Sequence, residues 1–173
     1  MNLSEFRNNY VKGLKKTTLG IIRNPSGEVC LAMKKRGFGA GKWNFSGGKV
    51  LPDETPEQCL VRETEEEFGV KIGNLRSVGI LYFYFSDVPL EKNWNQKCYV
   101  FEAGTWDGEP QESEEMLPKW WRRDRIPYQE MWQEDKSWIE PALDGQVLTG
   151  RFLFTSKDVC LEKAIVIGKI IDE

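Results

Sequence analysis

Alternation of apolar and polar positions divides the first part of the chain into strands around one amphipathic helix. Thr17 to Ile22, then Asn24-Pro25-Ser26-Gly27, then Val29, Leu31 and Met33 at every second position predict a strand, a turn and a second strand. Val78 to Phe85 and Lys97 to Glu102 are rich in aromatic and β-branched residues and predict two further strands, with Asp87 to Asn95 as the connection. The helix between these pairs is punctuated at both ends. Thr55 is a good N-cap, Pro56 suits the first helical position, Gln58 completes a capping box and Gly69 is a C-terminal stop. Asp135 to Leu143 predicts a second helix and Arg151 to Thr155 a late strand. The mixture of strands and helices predicts an α/β fold.

The first helix has two unlike faces. At about 100° per residue, Glu63, Glu66 and Glu67 fall within an arc of roughly 100°, and Leu60, Val61, Thr64 and Phe68 lie opposite. One side therefore predicts core and the other a carboxylate cluster. A Glu-rich face standing alone is usually only solvated surface. Three like charges on adjacent turns, however, raise one another's pKa unless a cation sits among them. Oxygen donors without His or Cys select Mg²⁺ or Mn²⁺.

Composition narrows the chemistry. With 173 residues, 40% apolar content and no Pro/Gly/Ser-rich linker, the chain predicts one core and one domain over residues 1–173. A formal net charge of -3 argues against a nucleic-acid binder, so an acidic small molecule must be met by local Lys and Arg or by metal ions. Met1 to Lys16 has no apolar signal-peptide core, and no run of about 18 apolar residues follows, which predicts a soluble intracellular protein that does not enter a membrane. Cys30, Cys59, Cys98 and Cys160 are widely spaced and read as buried reduced thiols. The sequence contains no His. That excludes histidine general bases, Ser/His/Asp triads and His-ligated zinc, leaving carboxylates, Lys/Arg and a hard metal for any hydrolysis.

The carboxylates sit in a longer pattern. Gly48-Lys49-Val50-Leu51-Pro52-Asp53-Glu54, seven residues, then Arg62-Glu63-Thr64-Glu65-Glu66-Glu67-Phe68-Gly69-Val70 reads G-x5-E-x7-R-E-U-x-E-E-x-G-U, where U is a bulky aliphatic residue. This is the signature of the Nudix hydrolases, which the chain resembles. Thr64 stands where the family carries Ile, Leu or Val. The resemblance implies a mixed β-sheet sandwiched between α-helices, and a Mg²⁺ (or Mn²⁺) site made by Glu63, Glu66, Glu67 and the Gly48 carbonyl. It implies that Arg62 and Glu54 brace the loop before the helix and hold the catalytic glutamates. Either Glu63 or a carboxylate outside the pattern orients and deprotonates the attacking water, and Glu115 is the candidate for an extra metal ligand from a loop. Gly47-Gly48 allows the loop backbone to come close to metal and phosphates, which a Cβ would obstruct.

Other stretches narrow the branch. Lys34 to Asn44, Gly47 to Val50, Glu112 to Met116, Ile126 to Trp132 and Ser137-Trp138 resemble the branch of the family that hydrolyses oxidised purine nucleoside triphosphates. This likeness runs from about Thr17 to Phe154 and leaves residues 1–15 as an extension outside it. It implies that Trp132 stacks on the purine, Asn44 bonds the purine edge, Phe38 lines the pocket, Glu134 and Asp135 read the base, and Lys34 approaches the phosphates. Phe45-Ser46 replaces the Gly-Phe usual in that branch, and Glu134-Asp135 replaces a pair of Asp. The expected enzyme is a monomeric, cytoplasmic, Mg²⁺-dependent pyrophosphohydrolase that releases a nucleoside monophosphate and pyrophosphate. Alternatives are the same chemistry on another nucleoside triphosphate, a pterin triphosphate or a dinucleotide, or a non-catalytic sensor of nucleotides or RNA ends.

Overall fold

The computed structural model describes residues 2–10 and 13–173. The reading of Met1 to Lys16 falls in part on Met1, Val11 and Lys12, which lie outside the described residues. In chain order the elements are α1 (Leu3–Tyr10), β1 (Lys15–Ile21), β2 (Val29–Lys34), β3 (Trp43–Asn44), α2 (Pro56–Phe68), β4 (Lys71–Phe85), β5 (Gln96–Asp107), β6 (Met116–Trp121), α3 (Asp135–Leu143), β7 (Leu148–Phe154) and β8 (Cys160–Ile167). The predicted strands and both predicted helices are present, with β4 and β5 extended beyond their apolar stretches. The fold is mixed α/β, with a parallel pair, β4 with β7, beside antiparallel ones. Among the described residues no helix is long and apolar enough to cross a membrane.

The chain forms two compact units, neither of them continuous in sequence. One comprises Met1–Thr17, Val78–Val100 and Gln133–Glu173, and the other Thr18–Ser77 and Phe101–Trp132. The five-stranded sheet has the order β1-β5-β4-β7-β8, and β7 and β8 lie wholly in the first unit. Every residue of β7 is buried, as expected for a central strand covered on both faces. Period two divides its contacts. Leu153 joins Ile80, Tyr82 and Tyr84 in a cluster with Leu3 and Phe6 of α1, while Phe152 stacks on Phe83 at 5.5 Å and Phe154 on Phe85 at 5.8 Å. The C-terminal residues are fastened to this unit. The Glu173 N–H donates to Tyr82 Oη at 2.8 Å, Tyr82 Oη donates to the Ile171 carbonyl at 3.1 Å, and the Glu173 carboxylate pairs with Arg7 and the buried Arg151.

The second unit carries α2 and the three-stranded sheet β3-β2-β6. The ends of α2 are those its local sequence dictates. Thr55 Oγ1 accepts the Gln58 N–H at 3.2 Å, Gln58 Oε1 accepts the Thr55 N–H at 2.9 Å, and Gly69 takes the left-handed conformation at φ 68°. The buried face is Cys59, Leu60, Thr64 and Phe68. Val61 departs from the expected core face: it is half-buried and lines, with Leu75, a cavity of about 790 Å³. Cys30, Cys59 and Cys98 are buried free thiols, and Cys160 is partly exposed.

Candidate active site

The carboxylate cluster lies wholly in the second unit, and Arg62 organises it. Its Nε and Nη2 grip the two Glu54 oxygens at 3.0 and 2.7 Å, a bidentate pair of the stronger kind. Its Nη1 donates to Glu63 at 2.9 Å and Glu66 at 3.3 Å, and Nη2 also reaches the Lys49 carbonyl at 3.4 Å. One guanidinium thus ties the loop before α2 to two of the three cluster carboxylates. The Arg62 hydrogen bonds, helped by the Leu51 N–H, hold the Glu54 carboxyl down at about 2.

Burial acts in the opposite direction on the other face. Glu67 is pushed up to about 7, first by burial and then by the charges of Glu63 and Glu115, against the Gly47 N–H and the Lys34 charge. Burial likewise raises Glu63, opposed by Arg62. The Gly47 N–H donates to Glu67 Oε2 at 3.4 Å. Lys34 and Glu115 reach the cluster through strand register. Lys34 at the end of β2 pairs with Met116 at the start of β6, and the Lys35 N–H donates to the Glu115 carbonyl at 2.8 Å. The Glu115 carboxylate itself pairs with Arg36 at 2.9 Å.

The Gly48 carbonyl accepts the Thr18 N–H at 2.9 Å and lies 3.7 Å from the Cys59 thiol. Gly48 is needed for its missing side chain, since an added Cβ would come 2.3 Å from Glu63 Cδ. Among the described residues no three acidic or thiol side chains are already gathered as ligands of an ion. Glu63, Glu66 and Glu67 nonetheless fit a hard divalent cation. They supply only oxygen donors, and Glu67, held near neutrality by burial and like charge, is a carboxylate that an arriving cation would ionise.

The Glu67 shift has a pH consequence. Its folded value of about 7 lies above its ordinary value of 4.5, so between those values the folded protein binds the extra proton. The resulting stability is complete below the lower value and is lost as pH rises through the upper. Metal-free wild type should therefore lose stability relative to Glu67→Gln between pH 5 and pH 8, read as denaturant midpoints at the two pH values. Parallel changes in the two proteins would contradict the shift.

An aromatic shelf belongs to the same unit. Phe38, half exposed, stacks on Trp132 at 5.3 Å, and Lys42 Nζ lies 4.8 Å from the Trp132 ring centroid. Asn44, on β3 opposite Ala32, uses Oδ1 to accept the Phe45 N–H at 2.8 Å. Its amide NH₂ keeps two donors. Glu134 and Asp135 lie in the other unit, both buried, and Asp135 Oδ1 accepts from Trp138 Nε1 at 3.0 Å.

Sequence reasoning did not single out Thr18 or Lys42, and it read Cys59 only as a buried thiol. Their signals are single residues without spacing, and only the folded contacts give them meaning. Thr18 Oγ1 accepts from Gly48 N at 3.4 Å and lies 3.5 Å from Cys59 Sγ.

A family model for the NUDIX domain matches residues 13–141. An oxidized purine nucleoside triphosphate hydrolase of Danio rerio is 41% identical over 148 residues, covering 86% of this chain and 92% of that protein. The protein of that name from Mus musculus is 38% identical over the same shares. The crystal structure of a MutT protein from Bacillus halodurans superposes with a TM-score of 0.76 at 25% identity, covering 88% of this chain and 97% of that one. The chain belongs to the Nudix family, and it is a hydrolase of that family.

Proposed function

We propose that the chain is a Mg²⁺-dependent pyrophosphohydrolase of oxidised purine nucleoside triphosphates such as 8-oxo-dGTP, releasing the nucleoside monophosphate and pyrophosphate. The observation that carries this reading is the union, in one compact unit, of an Arg62-held carboxylate cluster with a Phe38–Trp132 aromatic shelf. The names of the Danio rerio and Mus musculus relatives agree with it. The reading includes a single domain, a monomer and a cytoplasmic site of action.

Each residue then has a defined task. Arg62 holds Glu63 and Glu66 in place, so no rearrangement energy is spent on them during reaction. Glu67, poised near neutrality when no cation is present, or Glu63, accepts a proton from the attacking water, with Glu115 as the alternative from outside the helix. Lys34 offsets phosphate charge. The divalent cation, when bound, neutralises triphosphate oxygens and makes water a better nucleophile. Trp132 supplies stacking that any base can use, so selectivity falls to polar groups such as the Asn44 amide.

The test is a panel of oxidised and ordinary nucleoside triphosphates, pterin triphosphates and dinucleotides with pyrophosphate as readout. The highest kcat/KM should fall on an oxidised purine nucleotide; a preference elsewhere returns the substrate to another phosphoanhydride. On the preferred substrate, Trp132→Ala should raise KM about 10- to 100-fold through the loss of stacking, with kcat much less affected. An unchanged KM would remove Trp132 from the base site.

A further inference from the structure

Two departures from the family's sequence pattern touch each other. Ser46 stands in Phe45-Ser46, where the related branch carries Gly-Phe, and Thr64 fills the aliphatic slot of the signature. Their hydroxyl oxygens lie 2.9 Å apart, and both residues are fully buried at 0% exposure. Buried hydroxyls need partners, and here each is the other's partner.

The pair sits where the catalytic loop meets the catalytic helix. Ser46 is also fixed to β1, its carbonyl accepting the Gly20 N–H at 2.9 Å. Immediately after it come Gly47, whose N–H donates to Glu67, and Gly48, whose Cα faces Glu63 closely enough that a Cβ would overlap the carboxylate. Thr64 follows Glu63 on α2 and occupies the core side of the turn that carries Glu66 and Glu67. A chain with an aliphatic residue at 64 sets the distance between loop and helix by van der Waals packing. In this chain a directional bond spans that contact.

We propose that the Ser46–Thr64 hydroxyl pair is a positioning device that sets the loop of Gly47 and Gly48 against Glu63 and Glu67, and so tunes the affinity of the carboxylate cluster for its divalent cation. Both residues act through others and need touch neither metal nor substrate. One hydroxyl donates to the other, so the two residues act as a matched pair. Removing one leaves its partner buried and unsatisfied, whereas removing both restores an apolar contact.

This inference rests on the metal-dependent reading of the cluster but not on the identity of the nucleotide. The test therefore begins with Mn²⁺ binding to nucleotide-free protein, followed by electron paramagnetic resonance, in Ser46→Ala, Thr64→Val, the double variant and Thr64→Ser. Each single deletion should weaken Mn²⁺ binding about 10-fold, the lower end for residues that orient metal ligands. The double variant should be no weaker than the worse single, and Thr64→Ser, which keeps the hydroxyl, should return to within about 2-fold of wild type. Steady-state kinetics on the preferred substrate should show kcat falling with the single deletions and KM changing less. Thr64→Ser and the double variant keep the comparison readable if a single deletion folds poorly. Wild-type Mn²⁺ affinity in folded Ser46→Ala or Thr64→Val, or multiplicative losses in the double variant, would overturn the proposal. Failure of the wild type to cleave oxidised purine nucleotides would instead overturn the substrate assignment, leaving the Mn²⁺ result to stand or fall alone.

Discussion

Glu67→Gln should lower kcat by about 10²- to 10⁴-fold while the protein stays folded. The substitution keeps size and shape, and the amide oxygen can still accept the Gly47 N–H that now bonds Glu67. What it removes is a carboxylate that is half ionised near neutral pH without metal and fully available once a cation stabilises its charge. Excess chelator should abolish turnover in the wild type as well, since Lys34 and an Arg62 already shared among Glu54, Glu63 and Glu66 cannot also offset a triphosphate. Mn²⁺ titration of the variant separates the two contributions. A weaker ion with proportionally lower kcat assigns Glu67 to metal holding, and lost kcat at saturating Mn²⁺ assigns it to the proton. Full activity in Glu67→Gln, or in chelator, would remove the cluster from the mechanism.

Local signals explain which parts of this molecule were readable beforehand. The bounds of α2 follow from Thr55, Pro56, Gln58 and Gly69, whose preferences are set within a turn of chain, and the structure has each in that role. β6 was not expected. Met116-Leu117-Pro118-Lys119-Trp120-Trp121 contains a proline and lacks clean alternation, and it becomes a strand by pairing with β2, distant in sequence. α1 was missed because eight residues with two buried apolar side chains, Leu3 and Phe6, carry little periodic signal. Within the site, the spacing of Glu54, Arg62, Glu63, Glu66 and Glu67 was legible, and Arg62 bonds Glu54, Glu63 and Glu66. The direction of a peptide group cannot be read from spacing, and so the hydrogen bond from the Thr18 N–H to the Gly48 carbonyl was invisible. The Ser46–Thr64 bond was hidden for a related reason. Each residue looked like an isolated departure until the fold brought the two hydroxyls together.

Adjacent glycines in the loop before α2 should fail in different ways when given a methyl group. At Gly47 the added Cβ would lie 1.8 Å from the Thr18 carbonyl oxygen, 2.7 Å from its carbon and 3.1 Å from Leu19 Cα. All three are backbone atoms of β1, so no side chain can swing aside, and the loop must leave the strand. Gly47→Ala should therefore cost about 3 kcal/mol or more of stability, the upper range for overpacking, seen as a lower denaturant midpoint. At Gly48 the obstacle is the Glu63 carboxylate, with Cδ at 2.3 Å. A side chain can move, so Gly48→Ala should cost under about 1 kcal/mol, but Glu63 must give up its place beside Arg62 Nη1, now 2.9 Å away. Displacing a group that orients the cluster should lower Mn²⁺ affinity and kcat about 10- to 100-fold. Loss of folding in the first variant and of catalysis in the second would separate the structural glycine from the functional one. A stable, active Gly47→Ala would mean that the loop does not lie against β1 as the structure has it, and an active Gly48→Ala would mean that Glu63 works from a different position.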